Sequence, residues 1–436
     1  MEIAIYHSNF YTDAGGAEIA VMKATYALQE AGHRVDVYAG FAAADVMRAV
    51  CENVSLCPSL KVVGPDPNEV YLKMADLLSR KRIFVSLWWA TAFKHVTDEL
   101  LSKIGNLSSE YDLVIGDQSP LDFPLGIHLD SIPGDLIYVH YPSALLDLRI
   151  LNNYVDNIPD DAILKLYKRL VSAIRHKILA RWVCGVAKTF KIIVNSTWTR
   201  TRLVDLNIPL ITVASEPCGR ELATKLVGAS VVNAPVEYEL YSSMYDPDRK
   251  KDFVLTVSRY SPGKNLWSLI YVASKVTDAH FVIAGSTKTA SSDKVIGQLE
   301  ALIDKLRVKN VTLERDVPRR RLVELYEEAK VYLHPLHSEP FGIAIAEGAA
   351  AGAVPVVFRD GGGWTDIASR IDPMLGYNNI GEAASIVRSL LGNEGLWLRL
   401  SRRSVEVARD FSWGSYKRRL DAAVREAYEL KRRTNK

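Results

Sequence analysis

Hydrophobic residues recur along the chain in two alternating patterns. Glu2 to His7 forms a short apolar run, a polar loop "NFYTDAGGAE" follows, "IAVMKATYALQEAG" places apolar residues at helical spacing, and "HRVDVYAG" is apolar again. A continuous run reads as a strand buried on both faces and the spaced one as an amphipathic helix, which together make a strand–helix–strand unit of a parallel sheet. Further buried strands are predicted at "YDLVIGD", "GDLIYVHYP" and "KIIVNS". Around "VVNAPVEYELYSSMYDPDRKKD" the periodicity fails, which places an interdomain linker near Pro235 to Lys251.

The same alternation then resumes. Strands "FVLTVSR", "HFVIAG", "VTLE", "VYLHP" and "VPVVF" are interleaved with helical stretches such as "NLWSLIYVASKV" and "RRRLVELYEEAK". The expectation is two doubly wound, Rossmann-like α/β domains, over residues 1–240 and 241–412, each binding ligands at the carboxyl ends of its strands. A charged amphipathic helix over 413–436 is expected to pack back on the first domain.

Composition narrows this little. A hydrophobic content of 48% and a charged content of 24% are those of a soluble globular chain, and a net charge of +3 is too small to imply nucleic acid as a partner. Cys51, Cys57, Cys184 and Cys218 lack metal or redox spacing and read as free thiols of a reducing cytoplasm. No basic flank precedes a long apolar run at the start, and no stretch reaches the roughly 18 apolar residues of a spanning helix. The chain is therefore expected to be neither secreted nor transmembrane.

One charge cluster does change the picture. From Ala162 to Val204 there are ten Lys or Arg and no Asp or Glu, interleaved with Leu, Ile, Trp and Val. Such a stretch suits an anionic membrane surface; an RNA-binding face and an ordinary solvated helix are the alternatives. Trp88 and Trp89 fit either a headgroup boundary or a core.

Candidate chemistry starts at "HSEPFGIAIAEG", where Glu339 and Glu347 stand among small and apolar residues. An unpaired carboxylate is costly to bury, so each needs water, a partner or a ligand. Pro340 and Gly352 suggest a helix from about Phe341 to Ala351, whose free N–H groups near Phe341, Gly342 and Ile343 would face an anion. Glu347, inside it, can accept two hydrogen bonds from a vicinal diol such as a ribose; on spacing alone a solvated glutamate fits equally well.

In "VSRYSPGKN", Arg259 and Lys264 flank a loop before a helix expected to be capped by Asn265, so both could neutralise a diphosphate or simply lie in solvent. Gly15 and Gly16 in "DAGGAE" permit a close backbone approach to a ligand or a tight turn, without a dinucleotide fingerprint. His140 in "YVHYP" and His7 end strands, where either a site residue or a structural histidine can sit. Asp246 and Asp248 match a metal-holding D-x-D pattern but fall in the linker, and read as a solvated turn.

In this order and spacing, the Glu-x7-Glu pair, the "SRYSPGKN" loop and Gly361 to Gly363 resemble the retaining glycosyltransferases of the GT-B fold, glycosyltransferase family 4. The resemblance implies retaining, metal-independent hexosyl transfer between the two domains, with a nucleotide sugar as co-substrate and no further cofactor. It implies Glu347 on the ribose, Glu339 on the donor sugar, Arg259 and Lys264 on the diphosphate, and the backbone of Phe341, Gly342 and Ile343 on its oxygens. Gly15 and Gly16 would lie opposite, and His140 beside the reacting sugar. "GGGWTDI" departs from the family, with Trp364 and Asp366 where a glutamate commonly follows the glycines.

More narrowly, "YVHYPS", "VNSTWT" and "FGIAIAEGAAAG" resemble GDP-mannose-dependent α-mannosyltransferases that extend lipid-linked oligosaccharides. That implies a mannosyl donor, a lipid-linked or other glycan acceptor, and a peripheral position on the cytoplasmic face of a membrane. A UDP-sugar-dependent transferase with a soluble acceptor, a nucleotide-sugar epimerase and a non-catalytic nucleotide-sugar scaffold are the alternatives.

Overall fold

Strands form where the apolar runs are continuous, because both faces of a parallel sheet are covered by helices. A computed structural model describes residues 1–10, 16–42, 59–62, 107, 109–118, 134–140, 184, 187–211, 216–287 and 291–434. Gly15, Trp88, Trp89, Cys51, Cys57 and most of the basic stretch over 162–204 lie outside them.

Two parallel sheets result. The first comprises β1 (Glu2–Phe10), β2 (Arg34–Ala42), β3 (Ser59–Val62), β4 (Leu113–Gln118), β5 (Leu136–Val139), β6 (Lys191–Val194) and β7 (Ser230–Val231), in the order β3-β2-β1-β4-β5-β6-β7. The second comprises β8 (Lys251–Val257), β9 (His280–Gly285), β10 (Val311–Arg315), β11 (Ala329–His334), β12 (Val354–Phe358) and β13 (Gly376–Tyr377), in the order β10-β9-β8-β11-β12-β13. Winding reverses between β1 and β4 in one and between β8 and β11 in the other, and at such switch points the loops leaving the strands part to open a crevice. These are the two Rossmann-like domains expected of a GT-B chain.

Their carboxyl ends face each other. The chain leaving β6 meets the chain leaving β12: the Thr197 N–H donates to both carboxylate oxygens of Asp366 at 3.0 and 3.1 Å. Thr197 Oγ1 and Asn233 Nδ2 donate to the same carboxylate at 3.0 and 3.2 Å, and Trp198 Nε1 donates to Asp360 at 2.7 Å. Thr197 opens the helix Thr197–Ile211, so a carboxylate of the second domain caps a helix of the first.

The helix Trp413–Thr434 buries Tyr416, Leu420, Ala423, Val424 and Ala427 in one cluster with Ile3, Val21, Val37 and Leu113 of the first domain. A hydrogen bond between His33 and Asp421 at 2.7 Å and an ion pair Lys431–Asp135 at 2.9 Å fix its rotation.

Two expectations are corrected. The segment read as an irregular linker contains the helix Tyr238–Ser243, which buries Tyr238 and Tyr241. Six residues are too few for a periodicity to show among Ser, Glu and Tyr. Within the same segment Asp246 and Asp248 are exposed, and Asp246 accepts the Asp248 N–H at 3.0 Å in a local turn. Cys184 and Cys218 are bonded to each other, so these two are not free thiols; 34 residues of sequence separate them, and spacing alone says nothing about that proximity.

Among the described residues no helix is long and apolar enough to cross a membrane.

Candidate active site

The second-domain half of the site grows from the loops after β8 and β11. Arg259 follows the end of β8 and is exposed. Tyr260 anchors that loop from below, its buried ring donating Oη–H to the Ile283 carbonyl at 2.7 Å. A 3-10 turn, Pro262–Lys264, comes next, and Asn265 then adopts a left-handed φ of 50°. The expected cap by the Asn265 side chain does not form. Its amide instead donates to the Pro335 carbonyl at 3.0 Å, which ties the β8 loop to the β11 loop.

That tie brings Lys264 to Glu339. Lys264 Nζ lies 3.0 Å from Glu339 Oε2, and His334 Nε2, at the end of β11, lies 3.3 Å from the same oxygen. Burial alone would raise the Glu339 carboxyl, but the Lys264 ammonium and the His334 hydrogen bond outweigh it and hold the group well below the ordinary glutamate range. Glu339 is thus an ionised carboxylate facing two cation-capable groups.

The glycines after β12 place Glu339. Gly361 bridges to Glu339 in parallel fashion, and the Gly362 N–H donates to the Glu339 carbonyl at 2.7 Å. A Cβ on Gly362 would sit 2.2 Å from the Pro340 carbonyl oxygen, so the two segments approach this closely only without a side chain there.

The helix after Glu339 runs Ile343–Ala350, a little shorter than expected at its start. Gly342, at φ 91°, turns the chain into it, so Pro340 lies outside the helix rather than in its first turn. Ile343 and Ala344 have no carbonyl partner for their N–H groups within the helix, and the positive end of its dipole lies there. The Phe341 side chain is 2% exposed and packs edge-on against Phe411 at 5.1 Å, so only its main chain remains for a ligand.

Glu347 lies within that helix, half-buried, and accepts a hydrogen bond from Tyr326 Oη at 3.1 Å. Burial pushes its carboxyl above the usual glutamate value, with Lys23 opposing the rise. Lys23 was not singled out in the sequence. It comes from the first-domain helix Gly16–Glu30 that Gly16 opens, and its Nζ donates to the Pro235 carbonyl at 3.1 Å. Burial lowers the Lys23 ammonium, and Glu347 partly restores it.

The first-domain half is built at its own switch point. His7 of β1 and His140, just after β5, each meet one oxygen of Asp117 in β4: His7 Nδ1 to Oδ2 at 2.7 Å and His140 Nε2 to Oδ1 at 2.5 Å. Burial would raise the Asp117 carboxyl, but His140 and His7 hold it down at about 2. Asp117 was also missed. Its signal is present in "YDLVIGD", where an acidic residue ends an otherwise apolar strand.

Trp364 and Asp366, which stand where the family commonly has a glutamate, are engaged elsewhere. Trp364 lies under the Arg359 guanidinium at 5.6 Å, and Asp366 fastens the domains. A cavity of about 590 Å³ borders the β8 and β11 loops, lined by Asn265, Trp267, Tyr271, His337 and Phe358 among others. Neither Lys264 nor either site glutamate lines it, so charge rather than volume locates the candidate site. Among the described residues no group of three or more His, Cys, Asp or Glu side chains is arranged to hold a metal.

Comparison with known proteins agrees with this fold. Residues 240–404 match the family described as glycosyl transferases group 1. The chain is 26% identical over 195 residues to a GDP-Man:Man(3)GlcNAc(2)-PP-Dol alpha-1,2-mannosyltransferase of Neurospora crassa, covering 42% of this chain and 35% of that one. To the protein of the same name in Dictyostelium discoideum it is 23% identical over 299 residues, covering 64% and 56%. The chain thus spans between about a third and just over half of the length of these curated relatives. Among solved structures, Anabaena HepE in complex with UDP and glucose superimposes with a TM-score of 0.63 at 15% identity, over 97% of this chain and 99% of that one. By fold and by the match of its second domain, the chain is a GT-B protein related to the group 1 glycosyl transferases.

Proposed function

We propose that the protein transfers a hexosyl group from a nucleotide sugar to an acceptor hydroxyl, with retention and without a metal. Residues 1–240 serve the acceptor and 241–412 the donor in this reading. The observation that carries it is the Lys264–Glu339–His334 cluster at the second switch point, between exposed Arg259 and the start of the helix that holds Glu347.

The chemistry follows from charge. As the bond to the diphosphate breaks, negative charge grows on the leaving oxygens, and fixed positive groups around them lower the barrier. Glu339 already matches Lys264, so Arg259 and the N–H groups of Gly342 and Ile343 supply much of the net positive field. Glu339, ionised, accepts hydrogen bonds from donor-sugar hydroxyls, and Glu347 accepts them from the ribose diol. Gly15 and Gly16 allow the first domain close to the diphosphate, and His140 stands by the sugar.

A UDP-hexose donor, in the reading with a soluble acceptor, is supported by the UDP and glucose bound to HepE. GDP-mannose with a lipid-linked acceptor is a second reading, supported by the names of the two curated relatives. The basic stretch over 162–204 favours an anionic membrane surface, at about 1 kcal/mol for each Lys or Arg near it. Incubation with UDP-hexoses and GDP-mannose, each with soluble and lipid-linked acceptors, tests the proposal. Nucleoside diphosphate release that depends on acceptor, with the anomeric configuration kept, is the expected result. Turnover of the nucleotide sugar without any acceptor would replace transfer by epimerisation, and binding without turnover by a scaffold.

A further inference from the structure

We infer that Asp117 is a positioning residue: shared by His7 and His140, it fixes a proton on Nε2 of His140 and leaves Nδ1 of that ring to accept from a sugar hydroxyl. The inference deepens the transferase reading and rests on it for the word sugar, though not for the tautomer.

The three residues are brought together by strand register. Tyr6 pairs with Gly116, so His7 and Asp117 are neighbours across β1 and β4. Gln118 pairs with Val139, so His140 emerges beside the same carboxylate. Each Asp117 oxygen meets one ring nitrogen, at 2.7 and 2.5 Å, and Asp117 is only 3% exposed.

An ionised carboxylate can only accept, so both facing ring atoms, His7 Nδ1 and His140 Nε2, carry hydrogens. In a neutral imidazole the second nitrogen is then an acceptor. Turned over, the ring would present a donor instead, and a hydroxyl would meet it the other way round. Tyr138 restricts that turn, its ring lying 4.2 Å from the His140 ring.

Among the described residues, the other titratable groups that face Asp117 are phenols. Tyr138 from β5 and Tyr416 from the C-terminal helix both sense its charge, and burial raises both above the usual tyrosine value, so they are neutral. His7 and His140 are therefore the groups through which Asp117 acts near neutral pH.

The test is the histidine tautomer, read by long-range ¹⁵N–¹H NMR on the full chain, with His140→Gln identifying the His140 signal. Wild type is expected in the Nε2–H form and Asp117→Asn in a mixture, because an amide can accept or donate. In Asp117→Asn, kcat should fall at least about 10-fold; the loss reaches about 10⁴-fold where the histidine is itself the catalytic base. KM for the donor should stay within about twofold, since among the described residues the side-chain partners of Asp117 are His7 and His140 and no group assigned to the nucleotide.

An Nδ1–H tautomer in wild type would overturn the inference even if Asp117→Asn failed to fold. So would an Asp117→Asn protein that keeps wild-type kcat. A wild type with the Nε2–H tautomer but no turnover of any nucleotide sugar upholds the hold on His140 and sinks the transferase reading alone.

Discussion

Lys264→Ala separates the structural and the catalytic work of the Lys264–Glu339 pair. The Glu339 side chain is 16% exposed and that of Lys264 25%, so the mutation strands a carboxylate that water reaches only in part. Removing one partner of a buried pair costs about 3 to 5 kcal/mol, and the residual exposure here discounts that to about 2 to 3 kcal/mol. Adding Glu339→Gln removes the stranded charge, so the double mutant should return to within about 1 kcal/mol of wild type. Urea unfolding at neutral pH reads both.

The pH dependence has a fixed sign. The Glu339 carboxyl is depressed in the folded protein, so its stabilisation is fully present above the ordinary value of 4.5 and is lost as pH falls through the lower folded value. In Lys264→Ala the main depressing charge is gone, so the gap to wild type should narrow as acid neutralises the stranded carboxylate. Equal stability of Lys264→Ala and wild type at neutral pH would refute the reasoning. So would a double mutant as weak as the sum of its parts.

Two further outcomes follow from the same geometry. Glu347→Ala should weaken nucleotide binding roughly 10- to 100-fold in calorimetry with kcat little changed, because a diol contact made in ground and transition states alike is uniform binding. Because burial raises the Glu347 carboxyl, wild-type affinity should fall as pH drops from neutral toward that raised value, above 4.5, and the mutant should lose this dependence. Asp366→Ala leaves the Thr197 N–H without its acceptor, removes one of the two acceptors of Asn233 Nδ2 and uncaps a helix, costing about 1 to 3 kcal/mol. Small-angle scattering should show a wider separation of the domains, and an unchanged radius of gyration would argue that other contacts set the closure.

Much of this was legible in the residues, and for a physical reason. Runs such as "LIYV" and "VYLH" are buried on both faces, so their apolar continuity records their place in a parallel sheet. Arg259, Lys264, Glu339 and Glu347 were visible because each is a charge at a place where a charge is costly or exposed. What stayed hidden depends on pairs distant in sequence. Asp117 reads as one more strand-end carboxylate until His7, 110 residues away, is beside it. Asp366 reads as a departure from the family's glutamate, with no role of its own, until Thr197, 169 residues away, takes its oxygens. Pro340 misplaced the helix start because the turn is made by a glycine at positive φ, which local propensity does not reveal.

The central claim is that a nucleotide sugar occupies the crevice between Arg259, Lys264, Glu339 and the helix bearing Glu347. Heat unfolding of wild type and Arg259→Ala in the presence of UDP-glucose, other UDP-hexoses and GDP-mannose tests it most directly, since a ligand that binds only the folded state stabilises by mass action. The account predicts that one nucleotide sugar raises the wild-type midpoint well above the rest and that Arg259→Ala loses most of that gain. No stabilisation by any of them, or equal stabilisation of the mutant, would contradict it.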